Sequence, residues 1–148
     1  MRNLFLAVVC FAASSSIAKA EDFSEVVKAV RNSVVRVEVS GPEGETLGSG
    51  FVVRDDGVIA TNFHVIDSAS RGKVVFEDGR SMEIIGMLVE RRDHDMVLLK
   101  VESAQKLPVL PLCQALPEQG EDVFTFGNPK GLRFVVSRGI VSAVVETA

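Results

Sequence analysis

The sequence predicts an all-β fold with one short helix near its N-terminus. Most apolar residues lie in short runs that either alternate with polar residues or are continuously apolar, as β-strands do. Glycine-containing turns such as Asp78-Gly79 separate these runs. Helical spacing of apolar residues is confined to residues 23–32. Many short strands joined by glycine turns are typical of a β-barrel or a β-sandwich.

Length and composition point to a single globular domain. The chain has 148 residues, of which 47% are hydrophobic and 24% charged, a balance without the signature of disorder. The formal net charge is −4, and basic residues form no patch along the chain. Nucleic acid is therefore not expected among its partners.

Residues 1–20 have the features of a signal peptide. Arg2 supplies the positive charge, residues 4–13 form the apolar region, and Ala-Lys-Ala at residues 18–20 matches a cleavage signal. The apolar run is too short for a stable membrane span. We therefore expect an exported protein, periplasmic or secreted. Cys113 is the one cysteine beyond this segment, so no internal disulfide is expected, and it is predicted to be a small buried side chain.

The mature chain is predicted to begin with a helical segment, residues 21–33, followed by strands. Within that segment the apolar side chains at positions 23, 26, 27 and 30 share one helix face. The strands that follow are predicted at residues 34–39, 47–53, 58–61, 73–77, 81–90 and 96–101. The last of these is the most apolar, and we expect it to be central and buried on both faces.

Residues 103–120 differ in composition and are predicted to connect two substructures. They contain Pro108, Pro111 and Pro117, which interrupt regular structure. Strands are expected again at residues 122–126, 133–137 and 139–145, with Gly-Asn-Pro-Lys-Gly at 127–131 forming a turn. Residues 34–102 are thus predicted to form one unit, and residues 121–148 the start of a second.

His64 is a candidate general base. It is one of two histidines and follows the predicted strand at 58–61. Imidazole titrates close to neutral pH, so it can accept and return a proton in one catalytic cycle. From this residue alone, a structural histidine beside a hairpin is the alternative interpretation.

A base of this kind needs a carboxylate that fixes its tautomer and stabilises the imidazolium. Asp93, His94 and Asp95 directly precede the apolar strand at 96–101 and compete for this role. A solvated turn is the alternative interpretation for these charged residues.

Three segments, in order, resemble the HtrA/Deg branch of the trypsin-like serine proteases. They are Gly-Ser-Gly-Phe at 48–51 with Thr-Asn-Phe-His-Val at 61–65, Asp-Met-Val-Leu-Leu-Lys at 95–100, and Gly-Asn-Pro-Lys-Gly-Leu at 127–132 with Gly-Ile-Val-Ser-Ala at 139–143. The resemblance implies a trypsin-like double β-barrel, with the first barrel complete and the second incomplete. It also implies His64 as general base and Asp95 as the residue that orients it.

The nucleophile segment of that family, Gly-Asn-Ser-Gly-Gly-Pro, does not occur in this sequence. Ser49, Ser137 and Ser142 lie in strand patterns, and we interpret Ser49 as a packing residue. The resemblance therefore implies an exported serine endopeptidase for polypeptide substrates, present as a fragment that is inactive without its serine. The resemblance implies no metal or organic cofactor. It is also compatible with a homo-oligomer of the complete protein. The alternatives are a catalytically silent, protease-like binding module and an unrelated exported β-barrel.

Overall fold

Six antiparallel strands close into a barrel that takes up residues 34–101. The computed structural model describes residues 8–9, 23–128 and 134–145. The barrel strands are β2 (Val34–Gly41), β3 (Gly44–Arg54), β4 (Val58–Thr61), β5 (Arg71–Phe76), β6 (Ser81–Arg91) and β7 (Met96–Val101). Their order around the barrel is β2-β3-β4-β7-β6-β5. The all-β prediction and a complete first barrel are therefore confirmed.

The barrel interior is filled mainly by β-branched side chains. In β2, Val35 and Val37 are fully buried and belong to one apolar core, against which Met82 and Ile84 of β6 are packed. The remaining buried members of this core are Val39, Val52, Ile59, Phe63, Val65, Val74, Phe76, Val97, Leu99, Val101 and Leu107. Valine and isoleucine suit this position because branched side chains pack well on a pleated surface.

The expectation that β7 is buried on both faces was wrong. Val97, Leu99 and Val101 are buried, whereas Met96 on the other face is exposed. A strand in a barrel turns only one face to the core, so an apolar sequence does not by itself bury the other face. The strand buried on both faces is β4, in which all four residues are buried.

A short helix precedes the barrel. Helix α1 (Phe23–Val30) begins where the apolar pattern predicts, and a single 3₁₀ turn (Arg31–Ser33) leads from it into β2. Val30 is buried in a second apolar cluster with Val34, Leu110 and Phe126. The Phe23 ring also stacks on Phe124, with 4.6 Å between ring centroids. The helix therefore packs where the barrel meets the second sheet.

The second sheet contains β8 (Asp122–Gly127) and β9 (Val135–Ile140), paired antiparallel. Instead of two strands at 133–137 and 139–145, the chain forms the one strand β9. Gly139 does not interrupt it, because it pairs opposite Val123 within the ladder. Residues 141–145 are not in a strand, and Arg133 lies outside the described residues. An incomplete second sheet beside a closed barrel agrees with the predicted architecture.

The remaining described segments are the connection and part of the predicted signal peptide. Residues 103–120 contain no helix or strand, and the amides of Leu107 and Leu110 donate to carbonyls of the first barrel, at 2.9 Å each. Cys113 is exposed, so its expected burial was wrong, because this irregular segment leaves one side to solvent. Of residues 1–20, only the two-residue strand β1 (Val8–Val9) is described, and it pairs with β8. No helix within the described ranges has the length and hydropathy to cross a bilayer.

Candidate functional site

His64 lies in a single helical turn directly after β4. In this turn, α2 (Phe63–Ile66), the neighbours Phe63 and Val65 are buried in the barrel core. They anchor the turn, so that the His64 side chain between them points outward and is 53% exposed. The sequence Thr-Asn-Phe-His-Val thus places a solvent-accessible imidazole on a firmly packed element.

Asp95 reaches this imidazole from the start of β7. Its Oδ2 lies 2.6 Å from His64 Nδ1, and its Oδ1 accepts the His64 backbone N–H at 2.8 Å. The two residues are 31 positions apart in the chain. Asp95 has a left-handed backbone, with φ 49° and ψ 45°, after the 3₁₀ turn Arg92–His94. Aspartate is one of the few residues other than glycine that adopt this conformation.

Asp95 also accepts the hydrogen bonds of the free N–H groups at the start of helix α2. Asn62 occupies the N-cap position, but its side chain makes no capping hydrogen bond. Instead, the Asn62 Nδ2 and the Phe63 N–H both donate to the Asp95 carbonyl, at 3.1 Å each. The free N–H groups at a helix start need acceptors, and here a distant residue supplies them. The backbone and the carboxylate of Asp95 are therefore both fixed to the segment that carries His64.

The electrostatics of this pair keep Asp95 ionised. Burial raises the pKa of Asp95, but the hydrogen bonds from the His64 N–H and ring, together with the attraction of the ring, lower this pKa below its usual value on balance. An ionised carboxylate can only accept hydrogen bonds. It follows that Nδ1 of His64 carries a proton, which leaves Nε2 of the neutral ring free to accept one.

The two competing ionisable residues are not part of this pair. Asp93 contacts Arg91, with 3.1 Å between Oδ2 and the guanidinium, and lies 3.4 Å from His94 Nε2. The side chains of Asp93 and His94 are 63% and 66% exposed. Of the three candidates before β7, only Asp95 contacts His64 among the described residues.

Asn62 and the linked pair Ser49 and Asn128 were not identified as important from the sequence. The Ser49 hydroxyl accepts the Asn128 backbone N–H at 2.8 Å, and the Ser49 carbonyl accepts the Thr61 hydroxyl at 2.8 Å. Ser49 is therefore more than the packing residue we expected. The sequence signal was the Gly-Ser-Gly context, in which flanking glycines let other chain segments approach closely. Gly48 and Gly50 indeed lie against Val65 and Ala60.

The described residues contain no cluster suited to a metal ion. No group of three or more His, Cys, Asp or Glu side chains is placed to share one in residues 8–9, 23–128 and 134–145. The imidazole of His64, oriented by Asp95, can take a proton from a nucleophile brought to Nε2.

Comparison with known proteins gives the same family throughout. A family model described as a trypsin-like peptidase domain matches residues 48–148. Serine protease HTRA1A of Danio rerio is 35% identical over 80% of this chain and 26% of its own length. Serine endoprotease DegS of Escherichia coli is 35% identical over 68% of this chain and 28% of its own. A "probable periplasmic serine endoprotease DegP-like" of Halomonas elongata is 38% identical over 71% of this chain and 22% of its own.

A solved structure shares the fold. The serine endoprotease from Yersinia pestis superposes with a TM-score of 0.76 and 32% identity, over 85% of this chain and 46% of that chain. The present chain thus spans about a quarter of the length of the curated relatives above. The matched family model, the closed barrel and the ordered motifs agree, and the chain belongs to the trypsin-like peptidase family, in which it is HtrA-like.

Proposed function

We propose that this chain is the N-terminal part of an exported serine endopeptidase that cleaves polypeptides. The observation that carries the proposal is the contact of 2.6 Å between His64 Nδ1 and Asp95 Oδ2 on the rim of a closed barrel. The His64 ring is exposed and is held by a carboxylate whose pKa is lowered. This arrangement is more typical of a functional site than of a histidine that only packs in the fold. This contact supports a role for His64 as general base and for Asp95 as its orienting acid.

In this mechanism His64 Nε2 removes the proton from a serine hydroxyl as the serine oxygen attacks the peptide carbonyl. Asp95 keeps the proton on Nδ1 and stabilises the imidazolium that forms. His64 then donates the proton to the leaving amine. The acyl group left on the serine oxygen is then released by a water molecule, whose proton His64 takes up and returns to the serine. Besides water, these steps use the two side chains already in contact and a serine brought to the exposed side of the ring.

The serine would come from residues outside this sequence. No glycine-flanked serine resembling the family nucleophile occurs in the chain. The curated relatives extend over a length of which this chain matches only about a quarter. We therefore propose that residues 34–102 form the first barrel, that residues 121–148 begin the second, and that the chain alone does not hydrolyse peptides.

Export and assembly belong to the same proposal. Residues 1–20 have the composition of a signal peptide, and the DegP-like relative from Halomonas elongata is described as a periplasmic protease. The complete protein would thus act on polypeptides in the periplasm or outside the cell. A homo-oligomer is proposed for the complete protein, whereas no metal, organic cofactor or nucleic acid is required.

The experiment compares three proteins on casein, an unstructured polypeptide substrate. They are the product of the complete reading frame, its His64→Ala variant, and the 148-residue chain. We expect hydrolysis by the complete protein, a loss in kcat of at least about 10³-fold in the variant, and none above background from the short chain. His94→Ala is the control. His94 is also exposed but is not part of the His64–Asp95 pair, so this variant should retain activity.

A fluorophosphonate probe, which reacts with activated serines, gives a second readout. It should label the complete protein and not the 148-residue chain. An intact complete protein that is neither labelled nor active would support the silent binding module instead. Normal turnover by the His64→Ala variant would remove His64 from the mechanism.

A further inference from the structure

Asn128 joins the second sheet to the first barrel. It follows β8 directly and is only 4% exposed. Its backbone N–H donates to Ser49 Oγ at 2.8 Å, and its side-chain Nδ2 donates to the Val35 carbonyl at 3.4 Å. Its Oδ1 accepts the N–H of Phe134, at 3.0 Å, from the residue before β9. One buried residue thus contacts β2, β3 and the start of β9.

The linkage continues from Ser49 towards the His64–Asp95 pair. The Ser49 carbonyl accepts the hydroxyl of Thr61, which is the last residue of β4. The next residue, Asn62, donates its side-chain amide to the Asp95 carbonyl. A succession of hydrogen bonds and one peptide bond therefore leads from Asn128 to Asp95.

A buried asparagine needs hydrogen-bond partners wherever it lies, so its satisfaction alone indicates no role. The informative point is where the partners are. If Asn128 only closed the β8–β9 turn, its bond to Phe134 would be the natural one. Two of its three bonds instead leave its own sheet and end on Val35 and Ser49.

The apolar contact between the two units cannot set their relative position with the same accuracy. Val30, Val34, Leu110 and Phe126 form this contact, which removes apolar surface from water. Hydrophobic burial is non-directional, so it holds the two units together without specifying the orientation of one over the other. Hydrogen bonds weaken steeply when their distance or angle changes. The polar linkage therefore supplies the directional part of the contact.

We propose that Asn128 and Ser49 are positioning residues that fix the second sheet relative to the His64–Asp95 pair. The proposal rests on the proposed function, in which groups of the second barrel must meet His64 Nε2. Catalysis depends on such placement to within a fraction of an ångström. The two residues would act through the geometry of the cleft, without contact to substrate.

The test measures the distance between two nitroxide labels on the 148-residue chain, at low concentration and diluted with unlabelled chain so that association between molecules does not contribute. One label is placed at Glu43→Cys, in the exposed turn between β2 and β3, and the other at Ser137→Cys, on the exposed face of β9. Cys10 and Cys113 are replaced by serine in this background. Pulsed electron resonance then reports the mean and the width of the distance distribution between the two units.

Ser49→Ala removes the hydroxyl acceptor of the Asn128 N–H, and Asn128→Ala removes the other two bonds. We expect each variant to broaden the distribution about twofold, because more relative positions become populated. Ser81→Ala and Asn32→Ala are matched controls at exposed sites and should leave the width unchanged. Ser49→Ala, which deletes one atom, keeps the test valid if Asn128→Ala does not fold.

Widths in both variants equal to those of the controls would overturn the proposal, since the apolar contact alone would then set the position. In the complete protease, Ser49→Ala should lower kcat about tenfold with KM unchanged, as expected for misplacement of catalytic groups. A complete protein without hydrolysis would refute the proposed function. The distance measurement would still decide whether the linkage fixes the sheet.

Discussion

At the scale of single residues, Asp95 both orients the His64 ring and caps the helical turn that carries His64. Its carboxylate contacts the His64 ring and backbone, and its carbonyl accepts the N–H at the start of α2. Any movement of Asp95 therefore also disturbs the helical turn that carries His64. This coupling predicts that changes at Asp95 affect both the proton chemistry of His64 and the stability of the fold.

The stability of the folded chain should depend on the ionisation of Asp95. Folding lowers the pKa of Asp95, so its ionised form stabilises the folded state above about pH 5. As pH falls through the usual aspartate range to this lowered pKa, the unfolded state binds the proton first and the stabilisation is lost. We expect Asp95→Asn to be less stable than the native chain at pH 6, and this difference to shrink by pH 2.

Urea unfolding of both proteins at each pH measures the free energy of unfolding. The Asp93→Asn variant is the matched control. Arg91 also lowers the pKa of Asp93, but the Asp93 side chain is 63% exposed, so solvent screens that ion pair and the gap for Asp93→Asn should change less with pH. A gap between Asp95→Asn and the native chain that is constant from pH 6 to pH 2 would contradict the assignment.

Asn62 should hold Asp95 in place through its side-chain amide. Removal of that donor in Asn62→Ala leaves the Asp95 carbonyl with one fewer partner and is expected to cost about 1 kcal/mol of stability. The more specific effect is a looser His64–Asp95 contact. In proton NMR spectra the Nδ1–H signal of His64 should exchange faster with water in this variant, while Asn32→Ala, at an exposed site, leaves it unchanged. Equal exchange rates in all three proteins would show that Asn62 has no positioning effect.

The sequence identified His64 and Asp95 as candidates because each lies within a motif of local character. Asn62, Ser49 and Asn128 were not identified, since their partners lie 33 and 79 residues away along the chain. Whether a polar side chain is buried and paired depends on such distant neighbours. A single sequence does not contain that information until the strands have been placed in space.

At the scale of secondary structure elements, the position of α2 depends on the close approach of β3. A Cβ atom at Gly48 would lie 2.5 and 2.6 Å from the two methyl groups of Val65. Real Cβ atoms do not approach other atoms so closely, so a side chain at Gly48 must displace or rotate the Val65 side chain, which anchors the helical turn in the core. Glycine at this position is therefore a requirement of the site as well as of the barrel.

We predict that Gly48→Ala destabilises the chain by about 1–3 kcal/mol, as overpacking of a filled core does. The same change at Gly86 in β6 is the control, because a Cβ there meets nothing within 4 Å. Thermal unfolding of the two variants should separate them clearly. Equal melting temperatures would show that the structure around Gly48 accommodates the methyl group without loss of stability.

Strand positions in the first barrel were predictable to within a few residues, because alternation of apolar residues and glycine turns is a local signal. The faces that become buried were less predictable. Strand β7 is more apolar than its environment requires, whereas β4 is buried on both faces. Burial of the outer face depends on which segment crosses it, and a strand sequence does not specify that neighbour.

At the scale of the whole molecule, the two units differ in how completely their strands are paired. Every strand of the first barrel has two neighbours, but among the described residues β9 pairs with β8 alone. Apolar side chains near that sheet are exposed, including Ile140 at 60% and Val145 at 77%. Unpaired strand edges beside apolar side chains promote association between molecules.

The first barrel should therefore be the more stable unit. We expect backbone amides of β2–β7 to exchange with deuterium at least about 100-fold more slowly than those of β8 and β9, because local opening of the latter costs less free energy. The isolated 148-residue chain should also form oligomers or precipitate at high concentration. Hydrogen-exchange mass spectrometry and light scattering measure the two effects. A monodisperse monomer, uniformly protected through residue 145, would contradict this view of the second sheet.

The left-handed backbone of Asp95 also bears on how such a protein can evolve. Besides aspartate, this conformation is readily adopted by asparagine and glycine. Each of these residues is reached from an aspartate codon by one nucleotide change. Asparagine would even keep an oxygen for the N–H of His64. Where selection favours the barrel as a binding surface but not its chemistry, the Asp95 codon offers a route that removes the acid and leaves the backbone unstrained.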